Sequence, residues 1–284
     1  MIYIQTQRRI PFSTRIGILF GGFKSQFGWA FFGFGMIFFW VFAMNADLSD
    51  YYFDEDTVET EGVAIRWQGT GASENEVPVY ENYFLFVDEE GLEHEGVSYA
   101  TGYAVTSGEA LTIEYPQGKP EYARIKGMRN SMFSPFVLFV VIFPLVGLIF
   151  ILLGIRRSFR SLRLLRYGEL AKGVLVSKEA TNTRINNRRV YRMTFTFKDG
   201  QGREYTVTER TPLPYVLQDD KQETLLYLRS RPSNAIMLDN LPGAAAMDEN
   251  GSVKPYPARN ALFLLFFPLS TIIGHGIYLL TVYG

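Results

Sequence analysis

The chain has 284 residues, 47% of them hydrophobic, and a formal net charge of −1, a length that allows one to three domains. It contains no cysteine, which excludes disulfides, thiolate metal ligands and cysteine nucleophiles. Two histidines leave no Ser-His-Asp set, and neither a phosphate-cradling glycine loop nor a dinucleotide fingerprint is present.

These averages conceal a segregated chain. Residues 1–24 carry Arg8, Arg9, Arg15 and Lys24 and read as an N-terminal cytoplasmic or interfacial segment. Residues 25–44, SQFGWAFFGFGMIFFWVFAM, contain no charge. Twenty residues at about 1.5 Å rise give roughly 30 Å of helix, the thickness of a bilayer's hydrocarbon core. The run begins too late and is too long for a cleaved signal peptide, and reads as a transmembrane anchor. Nine aromatics among its twenty residues suggest a broad packing surface. Residues 45–130 form an acidic extracytoplasmic β module, 131–155 a second span, and 156–170 a basic amphipathic juxtamembrane helix. A basic cytoplasmic β module follows over 171–240, then a linker over 241–258 and a third span over 259–281. Pro144 and Pro268 fall inside spans and predict kinks, which membrane helices tolerate where neighbours satisfy the freed carbonyls.

The two β modules are copies. YFLFVDEEGLEHEG from Tyr83 and TFTFKDGQGREYTV from Thr194 align at an offset of 111 residues, pairing Phe84 with Phe195, Phe86 with Phe197, Asp88 with Asp199, Gly91 with Gly202 and Glu93 with Glu204. EGVAI at Glu61 meets KGVLV at Lys172, and after one inserted residue Tyr115 meets Tyr227, Pro120 meets Pro232 and Ala123 meets Ala235. Self-similarity of this kind is a fold-level signal. Period-two phenylalanines predict strands, and Asp88–Gly91 and Asp199–Gly202 predict turns in which Asp caps and Gly accepts positive φ. The first copy predicts strands near 62–67, 79–87, 92–98, 110–115 and 121–125, with equivalents in the second. Five short strands with one buried face curl into a small barrel or sandwich. The fold class is therefore an α+β membrane protein, two small repeated β-barrel or sandwich modules inserted between three transmembrane helices.

Charge separates the copies. Residues 45–122 hold eighteen acids against Arg66 and Lys119, a net of −16, and residues 156–231 hold seventeen bases against eight acids, a net of +9. With one span between them, the modules are expected on opposite sides of the membrane. Arg8, Arg9, Arg15 and Lys24 precede the first run, and Asp47, Asp50, Asp54, Glu55 and Asp56 follow it. Arg156, Arg157, Arg160, Arg163 and Arg166 follow the second, and Lys254 and Arg259 precede the apolar run ALFLLFFPLSTIIGHGIYLL, residues 261–280, within the third span. The positive-inside rule then places the N-terminus in the cytoplasm and the C-terminus outside it, against the count of Arg124, Lys126 and Arg129.

Few residues point to chemistry. DEEG at Asp88 lacks the ligand spacing of a calcium loop, and its counterpart DGQG loses two of three acids. His94 stands where the second copy has Tyr205 and reads as a strand surface residue. His275, in the third span, reads as a helix-packing or interfacial group. Arg156, Arg157, Arg160, Arg163 and Arg166, interleaved with Ile155, Phe159, Leu162 and Leu165, predict contact with anionic lipid headgroups as well as a stop-transfer flank. No catalytic residue, cofactor or metal site is expected, and the basic residues among Tyr191, Phe195 and Phe197 do not make a nucleic-acid surface, because period-two aromatics face a core.

The order of an apolar helix, G-V-x-[IV], a Tyr, F-x-F-x-D-x-x-G-x-E and Y-x-x-x-x-P resembles bacterial membrane proteins of domain-of-unknown-function family 3592. The resemblance covers Glu61–Ile125 and Lys172–Met237 and implies a tandem version in a bacterial membrane; the family brings no activity and no site residues. The expected function is a non-enzymatic scaffold or accessory subunit of an envelope complex in the bacterial inner membrane, with a protein partner or a second copy of itself. Alternatives are a ligand sensor signalling across the membrane and a subunit of an oligomeric channel or transporter.

Overall fold

The computed structural model describes residues 7–53, 56–248 and 250–284. Residues 1–6 of the N-terminal segment, Asp54 and Glu55 of the acidic flank, and Glu249 of the 241–258 linker lie outside these. The chain is α+β, with two antiparallel five-stranded sheets and three helical stretches long and apolar enough to cross a membrane: Phe23–Asn45, Pro135–Tyr167 and Phe266–Tyr283. The described residues divide into two compact units, one within 34–144 and one within 7–33 and 145–284.

The first sheet runs β1 (Thr57–Glu74), β2 (Val77–Val87), β3 (Glu93–Thr101), β4 (Ala110–Pro116) and β5 (Arg124–Ile125), in spatial order β3-β2-β1-β4-β5. The second runs β6 (Glu169–Ile185), β7 (Arg188–Lys198), β8 (Glu204–Thr211), β9 (Glu223–Leu228) and β10 (Arg231–Met237), in order β8-β7-β6-β9-β10. The orders are the same, strand for strand. Registers match as well: Gly62 faces Phe86 as Gly173 faces Phe197, and irregularities fall between Ala64 and Arg66 and between Leu175 and Ser177. The first strand is much longer than the 62–67 expected, because an unforeseen two-residue hairpin joins it to the second. Asn75 and Glu76 (φ 50° and 69°) and Asn186 and Asn187 (φ 48° and 61°) adopt the positive φ of a type I′ turn. The fifth strand of the first copy shrinks to two residues, since Pro120–Tyr122 forms a 3-10 turn before it.

Each sheet buries its phenylalanines. Phe84, Phe86, Ile113 and Tyr115 centre one core, and Phe195, Phe197, Leu225 and Tyr227 the other. Such a side chain, fully buried, contributes about 1.5–3 kcal/mol. The outer strands β8 and β10 lie against each other, so the second sheet curls nearly into a barrel. One side chain bridges the corresponding seam in each copy. Ser98 Oγ accepts from Ile125 N–H at 2.8 Å, and at the matching position the Glu209 carboxylate accepts from Asn240 Nδ2, just past β10, at 2.7 Å.

The copies differ where helices cover the second. Glu114 and Arg124 pair directly across β4 and β5 and form an ion pair at 2.7 Å. Their counterparts across β9 and β10 are Leu226 and Ile236, both buried with Leu164, Leu165 and Ile18 from two helices and with Ile10, which precedes the first of them. Helix α1 is Phe12–Phe20 and α3 is Ile142–Tyr167. Both faces of β9 are therefore covered, which explains the unbroken run TLLYL. Leu241, Ala245 and Val253 join the same cluster, so residues 241–258 pack rather than merely link.

Glycines, not aromatics, set the closest helix contacts. Helix α2 (Phe23–Val41) approaches α3 so that a Cβ on Gly28 would meet Ile151 and one on Gly147 would lie 2.6 Å from Phe32 Cα. A seven-residue step on, a Cβ on Gly154 would press on Ser25. The aromatic rings stack along α2 itself, Phe23 on Phe27 and Phe27 on Phe31. The Pro144 kink is displaced to the helix start: Pro135–Val141 forms a 3-10 helix, and Pro144 sits in the first turn of α3 directly after it. Pro268 does break its helix, into α4 (Ala258–Leu264) and α5 (Phe266–Tyr283).

Candidate functional site

The residues that carry the repeat form one device in each copy. Asp88 Oδ1 accepts from the N–H groups of Glu90 and Leu92, both at 2.9 Å, while Gly91 takes φ 83°. The Tyr115 hydroxyl accepts from Glu89 N–H at 3.2 Å. In the second copy Asp199 Oδ1 accepts from Gln201 and Arg203 N–H, Gly202 takes φ 78°, and the Tyr227 hydroxyl accepts from Gly200 N–H at 3.0 Å. The Asp–Gly–Tyr motif is thus a turn clasped from the core, with its carboxylate oxygens committed to protein donors.

His94 Nε2 lies 2.7 Å from Asp88 Oδ2 and its ring stacks on Phe86, as Tyr205 packs on Phe197. The hydrogen bond from His94, helped by the backbone N–H groups of Leu92 and Glu90, holds the Asp88 carboxyl below its usual pKa. A carboxylate with a lowered folded value stabilises above its unfolded pKa, and that contribution disappears as pH falls through the folded value. The variant His94→Ala is therefore expected to raise the Asp88 titration midpoint and start acid destabilisation at higher pH. Carboxyl carbon NMR of the full chain measures this, and an unmoved midpoint would show that the backbone donors alone set it.

His275, in α5, reaches the Gly33 carbonyl at 3.0 Å, and Thr271, one turn earlier, lies 3.4 Å from the Trp29 carbonyl. Polar side chains thus tie the third apolar helix to α2, the packing role expected for His275.

The five arginines expected at headgroups divide by helix face, because α3 continues unbroken to Tyr167. Arg157 Nη2 donates to Asn240 O at 3.0 Å, and Arg160 donates to Asn234 Oδ1 at 2.7 Å and Ala235 O at 2.8 Å. Arg160 thus holds β10 against the helix, and Arg157 holds the turn that follows it. Arg166 donates to Gln7 Oε1 at 3.1 Å, whereas Arg156 and Arg163 are exposed. The apolar stripe is shifted from the expected one: Leu164 and Leu165 are buried with Ser158 and Ser161, and Phe159 is left 63% exposed.

One arrangement brings three carboxylates together. Oxygens of Asp219, Glu223 and Asp239 lie within 4.8 Å of one another. Burial first, then the negative charges of Asp219 and Asp239, raises the pKa of Glu223, and burial with Asp219 and Asp220 does the same to Asp239. Glu223 Oε1 already accepts from Asp220 N–H at 3.0 Å, closing its own loop, so the cluster is first of all structural. No protein-family profile and no curated protein sequence matches the chain.

Proposed function

We propose that the chain is a non-enzymatic integral membrane scaffold or accessory subunit of a bacterial envelope complex, a tandem relative of family 3592 proteins. It presents an acidic module outside the inner membrane and a basic one in the cytoplasm. One observation carries this reading: a single β fold occurs twice, in opposite charge, with one apolar span between the copies. The helices support the membrane setting, since only 11%, 22% and 11% of their most apolar stretches are buried within the protein. Surface of this kind needs lipid or a partner to cover it.

Arg124, Lys126 and Arg129, which weigh against the orientation, each have a carboxylate partner in their own module. Arg124 pairs with Glu114 and Asp50, Lys126 with Glu59 and Arg129 with Glu74, at 2.6–2.8 Å. Paired in this way they contribute less free positive charge to the flank than Arg156 and Arg163. Interaction is assigned to the charged module faces, because bridging at the Ser98 and Glu209 seams leaves less open strand edge for a partner strand.

Absence of native cysteine makes the test direct. Glu90→Cys and Gln201→Cys occupy the same exposed turn position in the two copies. An impermeant maleimide is expected to label Glu90→Cys in intact spheroplasts and Gln201→Cys only after permeabilisation. Labelling of both from one side overturns the topology. Purification in mild detergent is expected to retain a partner or a homo-oligomer; a lone monodisperse monomer overturns the scaffold.

A further inference from the structure

Two of the arginines left over by the helix–sheet contact, Arg163 and Arg166, converge with three from the N-terminal segment. A cavity of about 460 Å³ opens between the N-terminal segment and the end of α3, lined by Arg8, Arg9, Arg15, Arg163 and Arg166 with Phe159 on one wall. No carboxylate lines it, and among the described residues none pairs with any of the five. This contrasts with the acidic module, where every basic side chain near the second span has an acid.

Protein acceptors use only part of the donor supply. Arg8 Nη1 reaches the Leu165 and Gly168 carbonyls, and its backbone N–H reaches Arg166 O at 3.0 Å, so it caps the C-terminal end of α3. Arg15 Nε donates to Ile10 O at 3.2 Å, and Arg166 spends one N–H on Gln7. A guanidinium has five N–H donors. Among the described residues no acceptor takes a side-chain N–H of Arg9 or Arg163, and Arg15 and Arg166 each spend one. Burial lowers the pKa of Arg8, and no carboxylate offsets that shift. Arg124 is the opposite case: burial works to lower its pKa, yet Asp50 and Glu114 hold it above the usual value. A cavity that gathers five such charges has a strongly positive interior, and forked guanidinium donors match phosphate oxygens in pairs.

We propose that this cavity is a phosphate-binding site, and that its ligand is the headgroup of an anionic phospholipid. Phe159 decides between lipid and soluble phosphate. It stands one helical turn, about 6 Å, beyond Ile155 at the end of the apolar run, with its ring largely exposed at the cavity wall. An aromatic there suits the boundary between headgroups and acyl chains, and serves no purpose for a free phosphate ion. The lipid identity rests on the membrane reading; binding of phosphate itself does not, and neither depends on a protein partner.

The purified full chain in detergent is titrated with phosphatidylglycerol, with phosphatidylcholine and with inorganic phosphate, and bound lipid is read by native mass spectrometry. Phosphatidylglycerol is expected to bind at least tenfold more tightly than phosphatidylcholine. The double variant Arg9→Ala, Arg163→Ala, both exposed positions, is expected to lose that preference, with unfolding temperature as the check on folding. Arg188→Ala, Arg189→Ala removes the same charge from the exposed end of the β6–β7 hairpin and is expected to retain it. Inorganic phosphate binding that the first double variant abolishes, without lipid preference, would keep the site and replace the lipid by a soluble phosphate. Equal losses in both double variants, or no preference and no phosphate binding, would overturn the proposal.

Discussion

Gly147→Val is expected to unfold or disperse the helical part of the protein, while the same substitution at Gly274 leaves it nearly unchanged. A side chain on Gly147 meets Phe32 N, Cα and Cβ, two of which are backbone atoms that no rotamer change can move. Overpacking a close-packed interior costs about 1–3 kcal/mol when side chains can yield. Here α2 and α3 must separate instead, which also loosens the contacts at Gly28 and Gly154, so the cost belongs at or above the top of that range. A Cβ on Gly274 meets nothing within 4 Å. Both changes add the same β-branched side chain to an apolar helix, so helix propensity cancels in the comparison. Thermal unfolding in detergent and the monodisperse fraction measure the difference; equal stability of the two variants would show that α2 and α3 do not depend on close approach. Gly147→Ala should fall between them.

The periodic and the chemically constrained parts of this architecture are legible in the chain. Three uncharged runs specify the apolar helices by length alone. The repeat is legible because its identities are residues that each do one job twice: Phe86 and Phe197 fill a core, Gly91 and Gly202 take positive φ, and Tyr115 and Tyr227 clasp the turn. Features that depend on which elements meet in space are not written locally. Leu226 and Ile236 look like ordinary strand residues until α1 and α3 cover them, and Leu241 and Val253 are isolated apolar positions in a stretch rich in Gly and Pro. Arg157 and Arg160 are indistinguishable in sequence from Arg163, yet a sheet occupies one helix face and a cavity the other. The hairpin at Asn186-Asn187 does carry a local signal, since asparagines in tandem between strands favour the positive φ that a type I′ turn requires.

The break at Pro268 leads to the second large effect. Proline has no N–H to donate four residues back, so the Leu264 carbonyl loses its helical partner. Gln26 Nε2 supplies the replacement, donating to Leu264 O at 2.8 Å and to Phe20 O at 2.7 Å. One amide from α2 thus serves the end of α1 and the break between α4 and α5. Gln26→Ala is expected to cost about 1–3 kcal/mol for each carbonyl it orphans, more where lipid rather than water surrounds it. Pro268→Ala restores the N–H that Leu264 O lost, so on its own it should be neutral or mildly stabilising. Combined, the two should be less harmful than their sum by about 1 kcal/mol or more, the coupling of groups that share one acceptor. Isostructural shape cannot produce that rescue, because residue 268 and residue 26 would then be linked only by volume, and Ala removes volume at both. Strict additivity within about 0.5 kcal/mol in a detergent unfolding cycle would mean that the freed carbonyl finds another donor, and that Gln26 holds α1 alone.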